Sequence, residues 1–344
     1  MFNINKIIKT FVIAEIGVNH NNDMKIAKKI ILECKKMGVD AVKFQTFQAE
    51  TLAKRDTPKV NYQKENNKDK EGHFDMLKKL ELSKKDHLIL IKYCKKINIR
   101  FISTPYDLDS AKYLNKIGIS IFKVASADLT DLFLHTYLAK IKKPVIISTG
   151  MSTFDQVNET LKIYKKFKNN NIALLHCVSN YPCAFSSINL RCLNEFKKRY
   201  KNVVLGFSDH TTDPTASLLS LAMGCKIIEK HVTLNKKFKG PDHKASADIN
   251  DFEKLMKYIR KSEIILGNSI KKVQKEEKQM LSISRKSLYY KNNFKKGKKI
   301  NNDDVVILRP NKGILPIDFF KIKDKCLKVN VKSLYPVKIE HFKI

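Results

Sequence analysis

The sequence has no tryptophan, no CxxC motif and no apolar run approaching the roughly 18 residues that a membrane helix needs. Its seven cysteines are an odd number without paired spacing, which is typical of a reducing compartment and argues against a disulfide framework. Glu15 interrupts the apolar N-terminal stretch, and no small-residue cleavage site follows it. We therefore expect a soluble, cytoplasmic protein that has no membrane partner.

Acidic residues are few relative to basic ones, 34 against 67, and the formal charge is +33. Such a charge suggests nucleic-acid binding, because clustered Lys and Arg neutralise phosphates. Only seven of the basic residues are arginines, however, and the lysines occur mostly as short pairs along predicted helices. That distribution is typical of solvated helix faces, so we expect no nucleic-acid partner, although a positive field could steer small anionic substrates.

Eight short apolar runs alternate with segments of helical periodicity. The runs are residues 11–17, 39–46, 100–106, 120–126, 144–150, 172–179, 203–210 and 225–231. Eight βα units predict a closed (β/α)8 TIM barrel, which takes about 250 residues. An open doubly wound sheet fits the periodicity equally well, but it usually has fewer strands and would begin with a glycine-rich turn that is missing here.

The length of 344 residues leaves a C-terminal segment beyond one barrel. We predict the barrel over residues 1–267, a linker over 268–282 and a small β-rich domain over 283–344, where short strand-like runs alternate with turns. A long polar insertion, residues 48–81, follows the second strand. Long loops at the catalytic mouth of a barrel often bind or cover the substrate, and we expect that role here.

Two histidines stand where apolar strands end, His210 in residues 206–211 (GFSDHT) and His231 in residues 228–231 (IEKH). Strand ends converge at one mouth of a parallel barrel. Two imidazoles there can hold a divalent metal and leave positions open for substrate oxygens. The alternative is a pair of core histidines whose hydrogen bonds are satisfied.

Two lysines, Lys43 and Lys123, lie within otherwise apolar strands. Burying an ammonium is costly unless an anion or carboxylate receives it, so these lysines predict a bound anion. Glu15, in the first strand, could pair with one of them. Hydroxyl side chains at successive strand ends add donors suited to a phosphate and a carboxylate: Thr104, Ser126, Ser148 and Ser208.

In order and spacing, these motifs resemble the sialic acid synthase family over nearly the whole chain. The stretches that carry the resemblance include residues 14–20, 42–45, 76–82, 103–107, 123–128, 143–151, 208–211, 229–231, 240–246, 285–289 and 309–310. The resemblance implies a barrel followed by an antifreeze-like (SAF) domain. It also implies a domain-swapped homodimer in which the SAF domain supplies an arginine to the other subunit, and Arg309 is the matching position.

The resemblance implies that the chain condenses phosphoenolpyruvate with an N-acetylmannosamine-type sugar to give N-acetylneuraminate, a nine-carbon sialic acid, with loss of phosphate by C–O cleavage. The alternative is an N,N'-diacetyllegionaminate synthase acting on 2,4-diacetamido-2,4,6-trideoxymannose. Two rivals are less favoured. One is a Schiff-base aldolase that uses Lys123 or Lys43 as nucleophile, and the other is a non-catalytic saccharide-binding protein.

Matched motif by motif, the resemblance also assigns roles to residues. His210 and His231 resemble metal ligands, for Mn²⁺ before Mg²⁺ or Co²⁺. The positions that resemble the phosphoenolpyruvate grip are Lys43, Thr104, Lys123, Ser126, Ser148 and Ser208, and the sugar contacts are Glu15, Asn66, Tyr181, Asp242 and Arg309. Either Glu15 or Asp128 could act catalytically by moving the proton of the attacking water, and the sequence leaves that choice open.

Overall fold

A computed structural model of the chain describes residues 2–60, 63 and 71–343. Asn66, which we predicted to contact the sugar, lies outside the described residues. The chain divides into two compact units, Met1–Gly267 and Asn268–Ile344. Within the part of the chain that the structure describes, no helix has the length and apolar character needed to cross a bilayer.

The first unit is a closed barrel of parallel strands in sequential order, β1 to β8. The strands are β1 Phe11–Gly17, β2 Ala41–Thr46, β3 Arg100–Pro105, β4 Phe122–Val124, β5 Val145–Ser148, β6 Ile172–Cys177, β7 Val204–Asp209 and β8 Ile227–His231. The last strand pairs back onto the first, with Phe11 opposite Ile227. This closure confirms the predicted TIM barrel and excludes the open sheet.

Helices link the strands and surround the barrel. They are α1 Met24–Lys36, α2 Ala49–Leu52, α3 His73–Leu80, α4 Lys84–Lys96, α5 Leu108–Lys116, α6 Leu132–Lys140, α7 Phe154–Lys166, α8 Phe185–Ile188, α9 Cys192–Arg199, α10 Thr215–Ala222 and α11 Ile249–Leu266. Their ends follow local signals. The Asp23 carboxylate caps α1 by accepting from the Lys25 and Ile26 amides, and Thr153 forms a capping box with Gln156 at α7.

Side chains alternate along each strand between the outer face, which packs on the helices, and the inner face of the barrel. In β1, Val12 and Ala14 pack outward in the large core shared with the helices, whereas Phe11 and Ile13 belong to a smaller cluster inside the barrel. The next inward position is Glu15. Other strands follow the same rule, so an apolar layer fills the lower barrel and polar residues occupy the layer at its carboxyl-terminal mouth.

The insertion at residues 48–81 is more structured than the polar loop we predicted. Its described part carries α2 and α3, and α3 buries Met76 and Leu80 in a cluster with Val18 and Phe47. Met76 and Leu80 have helical spacing, as expected for α3. The many lysines and glutamates of the segment obscure this pattern in the sequence. The insertion therefore brings apolar side chains to the catalytic end of the barrel.

The second unit has a core of its own. A helix, α12 Lys278–Ser284, is followed by the antiparallel strands β9 Ser287–Tyr290 and β10 Val305–Leu308. Isolated bridges such as Phe294 with Val331 join other segments. The core residues are Leu288, Tyr290, Ile300, Ile322, Leu327, Val331, Val337 and Phe342. Helix α12 begins inside the segment that we predicted as a linker.

Candidate active site at the mouth of the barrel

A cavity of about 500 Å³ opens at the carboxyl ends of the strands. Its size is typical of a small-molecule site. The predicted site residues that line it are Glu15, Lys43, Lys123, Ser126, Ser148, Tyr181, Ser208, His210, His231 and Asp242. The fold thus brings together side chains from the ends of all eight strands: Tyr106, directly after β3, lines the cavity, and Thr104 of β3 contacts Lys43.

Three predicted residues do not line the cavity. Thr104 is fully buried and accepts a hydrogen bond from Lys43 Nζ at 3.0 Å, so it supports the lysine from below. Asp128 ends a short 3₁₀ turn after β4 and is not among the lining residues. Arg309 belongs to the second unit, where it is exposed next to the cis peptide bond that it makes with Pro310.

Glu15 and Lys43 form a buried ion pair in the cavity. They are register partners on β1 and β2, and Lys43 Nζ lies 2.7 Å from Glu15 Oε2. The Gln45 amide donates to the other carboxylate oxygen, Oε1, at 3.1 Å. Burial raises the pKa of Glu15 to about 7, although Lys43 opposes this shift. Glu15 can therefore exchange a proton near neutral pH.

Lys123 lies deeper in the cavity. Its Nζ donates to Ser148 Oγ at 2.6 Å and to the Val124 carbonyl at 2.9 Å. Burial lowers the pKa of Lys123, and the Glu229 carboxylate, 3.6 Å away, opposes that change. An ammonium this deeply buried gains from a second anion, as the sequence predicted.

Glu229 lines the cavity, and the sequence analysis gave it no role. Its Oε1 accepts from Ser208 Oγ at 3.0 Å, and its Oε2 lies 3.8 Å from Lys43 Nζ. Since Oε1 is also the atom nearest Lys123, this carboxylate connects both buried lysines. The signal was available, because Glu229 stands two residues before His231 in one strand and alternation places both on the inner face.

A patch of hydroxyl groups lies beside Lys123. The Gly150 amide donates to Ser126 Oγ at 3.0 Å. A Cβ at Gly150 would meet Ser179 Oγ at 2.4 Å and Ser126 Oγ at 2.8 Å, so the approach of these hydroxyls depends on glycine there. Ser179 also lines the cavity and was given no role, although it ends the apolar run 172–179; the strand itself ends at Cys177, so Ser179 lies in the following loop.

His210 and His231 come together at the cavity wall, with ring centroids 5.7 Å apart. The Tyr181 ring packs on both, at 4.1 Å and 5.4 Å between centroids. His210 Nδ1 donates to the Val178 carbonyl at 2.8 Å, which leaves Nε2 as the ring atom able to bind an ion. The two rings lie close together, as the positions of these histidines at strand ends predicted.

His231 is not a satisfied core histidine. Its Nδ1 is buried without a hydrogen-bond partner and lies 4.0 Å from Asp242 Oδ2. Burial, together with His210, holds the pKa of His231 well below its usual value, so the ring is in the neutral form that binds metals. Burial raises the pKa of Asp242 to about 6.

These residues fit a divalent ion held mainly by two imidazoles. Among the residues that the structure describes, no group of three or more His, Cys, Asp or Glu could hold a metal. An ion here would complete its coordination with water or substrate oxygens. An orphaned ring nitrogen on one histidine and a ring fixed by a carbonyl on the other are the features expected of such a site.

The cavity has an apolar wall that the sequence analysis did not predict, and the insertion supplies four of its residues, Leu52, Met76, Leu77 and Leu80. Val18, Phe47, Leu52, Met76, Leu77, Leu80 and Tyr106 all line the cavity. They come from four separate parts of the chain, so no local pattern could have grouped them. The cavity therefore pairs a charged floor with an apolar side.

Comparisons with known proteins identify a family to which the chain is similar. The NeuB family matches residues 30–271, more than half of the chain. The chain is 40% identical over 327 residues to an N,N'-diacetyllegionaminic acid synthase of Campylobacter jejuni, which covers 94% of this chain and 98% of the relative. It is 36% identical to an N,N'-diacetyllegionaminic acid synthase of Legionella pneumophila over 96% and 94% of the two chains.

A solved structure agrees as well. An N-acetylneuraminic acid synthetase from Leptospira borgpetersenii, in complex with citrate, superimposes with a TM-score of 0.70 at 32% identity, covering 79% of this chain and 90% of that chain. The family predicted from the motifs is confirmed, and this chain belongs to the NeuB family.

Proposed function

We propose that the chain condenses phosphoenolpyruvate with an open-chain N-acylated mannosamine-type sugar to give a nine-carbon sialic acid and phosphate. The observation that carries this proposal is one cavity in which two buried lysines, Lys43 and Lys123, lie beside the His210–His231 pair. The two lysines would balance the negative charges of phosphoenolpyruvate. The two histidines would hold a metal that polarises the sugar aldehyde and so makes its carbon an electrophile.

The donor binds over the charged floor. Lys123, with the hydroxyls of Ser126, Ser148 and Ser208, offers charge-assisted hydrogen bonds to phosphate and carboxylate oxygens. The Glu229 carboxylate favours the charged form of both lysines in the free enzyme, which prepares the donor site before phosphoenolpyruvate enters. Two carboxylates, Glu15 and Glu229, face these ammoniums, and protonation of Glu15, whose pKa is about 7, leaves the floor with a net positive charge that attracts an anion.

His210 and His231 would hold a divalent metal, Mn²⁺ before Mg²⁺ or Co²⁺. The bound ion would supply Lewis-acid polarisation of the sugar aldehyde. Tyr181 packs against both rings and restricts their rotation. Asp242 lies beside His231 at the rim, where its carboxyl can accept hydrogen bonds from sugar hydroxyls.

Glu15 is favoured over Asp128 as the group that moves the proton. C3 of phosphoenolpyruvate attacks the aldehyde carbon, and water adds to C2 as Glu15 takes one of its protons, which then passes to the former aldehyde oxygen to give a hydroxyl. The resulting hemiketal phosphate loses phosphate, which leaves with the electrons of the C2–O bond, while the C2 hydroxyl gives its proton to the leaving phosphate and becomes the keto group. Glu15 lines the cavity and has a pKa of about 7, whereas Asp128 does not line it.

The apolar wall favours an acceptor that carries methyl groups. Facing Met76 and Leu80, the C6 methyl of a 2,4-diacetamido-2,4,6-trideoxy sugar would be buried favourably, and a 6-hydroxyl would lose its water there. The names of the two curated relatives support the same acceptor. N-acetylmannosamine is the second candidate, supported by the name of the Leptospira synthetase.

For the second unit we propose an SAF domain that brings Arg309 to the active site of the other subunit in a domain-swapped homodimer. Exposed apolar residues at the mouth support a covering partner, because such patches mark interfaces. These are Leu132 (57% exposed), Phe133 (74%), Met151 (69%) and Phe185 (54%), in the segments after β4, β5 and β6. We place the enzyme in the cytoplasm, where its free thiols would stay reduced.

The test is an assay of phosphate release from phosphoenolpyruvate with each candidate sugar, with enzyme treated with chelator and then with Mn²⁺. We expect release only when donor, sugar and metal are all present, with a higher kcat/KM for the trideoxy sugar. Full activity after chelation would refute the metal role. Trapping of pyruvate on a lysine by borohydride would point to the Schiff-base aldolase.

A further inference from the structure

A buried ion pair lies on the outer side of the barrel wall, directly behind the two histidines. Lys230 Nζ is 3.0 Å from Asp209 Oδ2, and the side chains are 6% and 0% exposed. The two residues are register partners on β7 and β8. Because side chains alternate, this pair points away from the cavity that Ser208 and Glu229 face.

The position of the pair in the chain is what matters. Asp209 immediately precedes His210, and Lys230 immediately precedes His231. Each residue of the pair therefore shares a peptide bond with one of the two imidazole-bearing residues. Any change in the distance between the backbones at Asp209 and Lys230 changes the distance between the two rings.

The pair also holds the segment that follows His210. Asp209 Oδ1 accepts from the Thr211 amide at 2.8 Å and from its hydroxyl at 2.7 Å, and Oδ2 accepts from Ser217 Oγ at 2.6 Å. Lys230 Nζ donates to the Thr211 carbonyl at 2.7 Å. His210 is therefore fixed on both sides, by Asp209 before it and by Thr211 after it, to the strand that carries His231.

Stability alone is a weak reason for this arrangement. A buried ion pair recovers little more than the cost of removing two charges from water, and apolar residues of the same size often serve as well. A pair whose hydrogen bonds are satisfied does, however, specify one geometry. His210 and His231, which follow Asp209 and Lys230 in the chain, need one fixed separation if both rings are to bind the same ion.

We propose that Asp209 and Lys230 are positioning residues that set the separation of His210 and His231, so that both rings can bind one divalent ion. This inference rests on the metal site in the proposed function. The Val178 carbonyl fixes the rotation of the His210 ring, and the ion pair fixes the backbone that carries the ring. Neither Asp209 nor Lys230 lines the cavity, so both act through the histidines.

The test measures Mn²⁺ binding to the full-length, metal-free protein by titration calorimetry and by electron paramagnetic resonance, without substrates. We expect Asp209→Asn and Lys230→Gln to weaken Mn²⁺ binding about 10- to 100-fold, as loss of support behind metal ligands does elsewhere. Ser217→Ala removes one hydrogen bond to Asp209 and should give a smaller loss in a protein that folds normally. Binding of phosphoenolpyruvate without metal should stay within about twofold of wild type, since the cavity floor is unchanged.

The matched control is the Asp40–Arg260 pair, which joins the other end of the barrel to α11. Arg260 Nη2 lies 3.0 Å from Asp40 Oδ2, and this oxygen also accepts from the Val12 amide at 2.9 Å. Asp40→Asn should lower the Tm and leave Mn²⁺ affinity unchanged. A purely structural role for Asp209 predicts this same result for its variants.

The outcomes separate the two proposals. Wild-type protein that binds no Mn²⁺ would refute the metal site of the proposed function and this inference with it. Wild-type protein that binds Mn²⁺, with unchanged affinity in Ser217→Ala and in whichever of Asp209→Asn and Lys230→Gln folds, would overturn the positioning role alone.

Discussion

Glu15 and Lys43 lie opposite each other on neighbouring strands, with 2.7 Å between Oε2 and Nζ, and both side chains are almost completely buried. Burial raises the pKa of Glu15 to about 7 even with this partner. The carboxylate that could accept a proton from water is thus held against a lysine that could bind the donor. In the proposed reaction, this contact would couple proton transfer to anion binding.

For Glu15→Gln we expect kcat to fall by about 100-fold or more, the usual effect of losing a general base. A base must be ionised to act, so wild-type activity should rise as pH increases through about 7, and this acidic limb should disappear in the variant. The measurement is kcat/KM against pH. Asp128→Asn is the control and should keep the limb; if only Asp128→Asn removes it, the two assignments are reversed.

The second prediction concerns Lys123→Met. Charge-assisted hydrogen bonds to the donor would be lost, so the KM for phosphoenolpyruvate should rise by about 30-fold or more. Thermal stability should also fall, because the buried Glu229 carboxylate loses one of its charge partners, so KM is measured below the Tm of the variant. Lys143→Met is the control, since Lys143 donates to the Ile119 carbonyl and does not line the cavity. Equal effects of the two substitutions on KM would contradict the donor site.

Asp128 should make stability depend on pH. Burial, with Asp131 adding to it, raises the pKa of Asp128 to about 7, and its Oδ2 has no hydrogen-bond partner. A raised carboxyl pKa stabilises the fold while the group is protonated, and this contribution is lost as pH rises from the usual carboxyl range through about 7. Asp128→Asn should therefore match wild type near pH 4 and be more stable by about 1 kcal/mol near pH 8, allowing for partial exposure. Thermal unfolding at the two pH values is the measurement, and a constant difference would show that Asp128 ionises normally.

Arg309→Lys should raise the KM for the sugar and leave the KM for phosphoenolpyruvate unchanged, because a point charge does not replace a planar fork of donors. Mixing provides a sharper test of the swapped dimer. Arg309→Ala and His231→Ala should each be inactive, and refolding them together should restore activity, since some heterodimers then contain one intact site. No recovery on mixing, with dimers present, would contradict a contribution of Arg309 across the interface.

Much of the site could be read from residues that break a local pattern. A lysine inside an apolar strand is costly unless it is paired, so Lys43 and Lys123 stood out, and both line the cavity. His210 and His231 stood out because each follows an apolar run. Glu229 did not stand out, because it is marked only by its contact with Lys123. That lysine lies more than 100 residues earlier in the chain and reaches Glu229 only when the barrel closes.

The insertion shows a different limit. Its charged residues suggested a polar loop. The role of its few apolar residues is visible only in the folded chain, where Met76 and Leu80 pack against Val18 and Phe47. Such a wall has no sequence period, since its members come from separate elements. The apolar character of this side of the cavity was therefore hidden from sequence reasoning.

Alternating apolar and helical segments by themselves determined a parallel α/β fold, and their number, eight, favoured a barrel, because eight parallel strands with helices between them can bury their apolar faces by closing. They also determined which residues lie at its mouth, since strand ends converge there. Only the tertiary structure decided which of these residues touch: Glu229 between two lysines, and the outer Asp209–Lys230 pair behind the two histidines. Contacts between distant strands depend on register and closure, which are properties of the whole barrel and of no single segment.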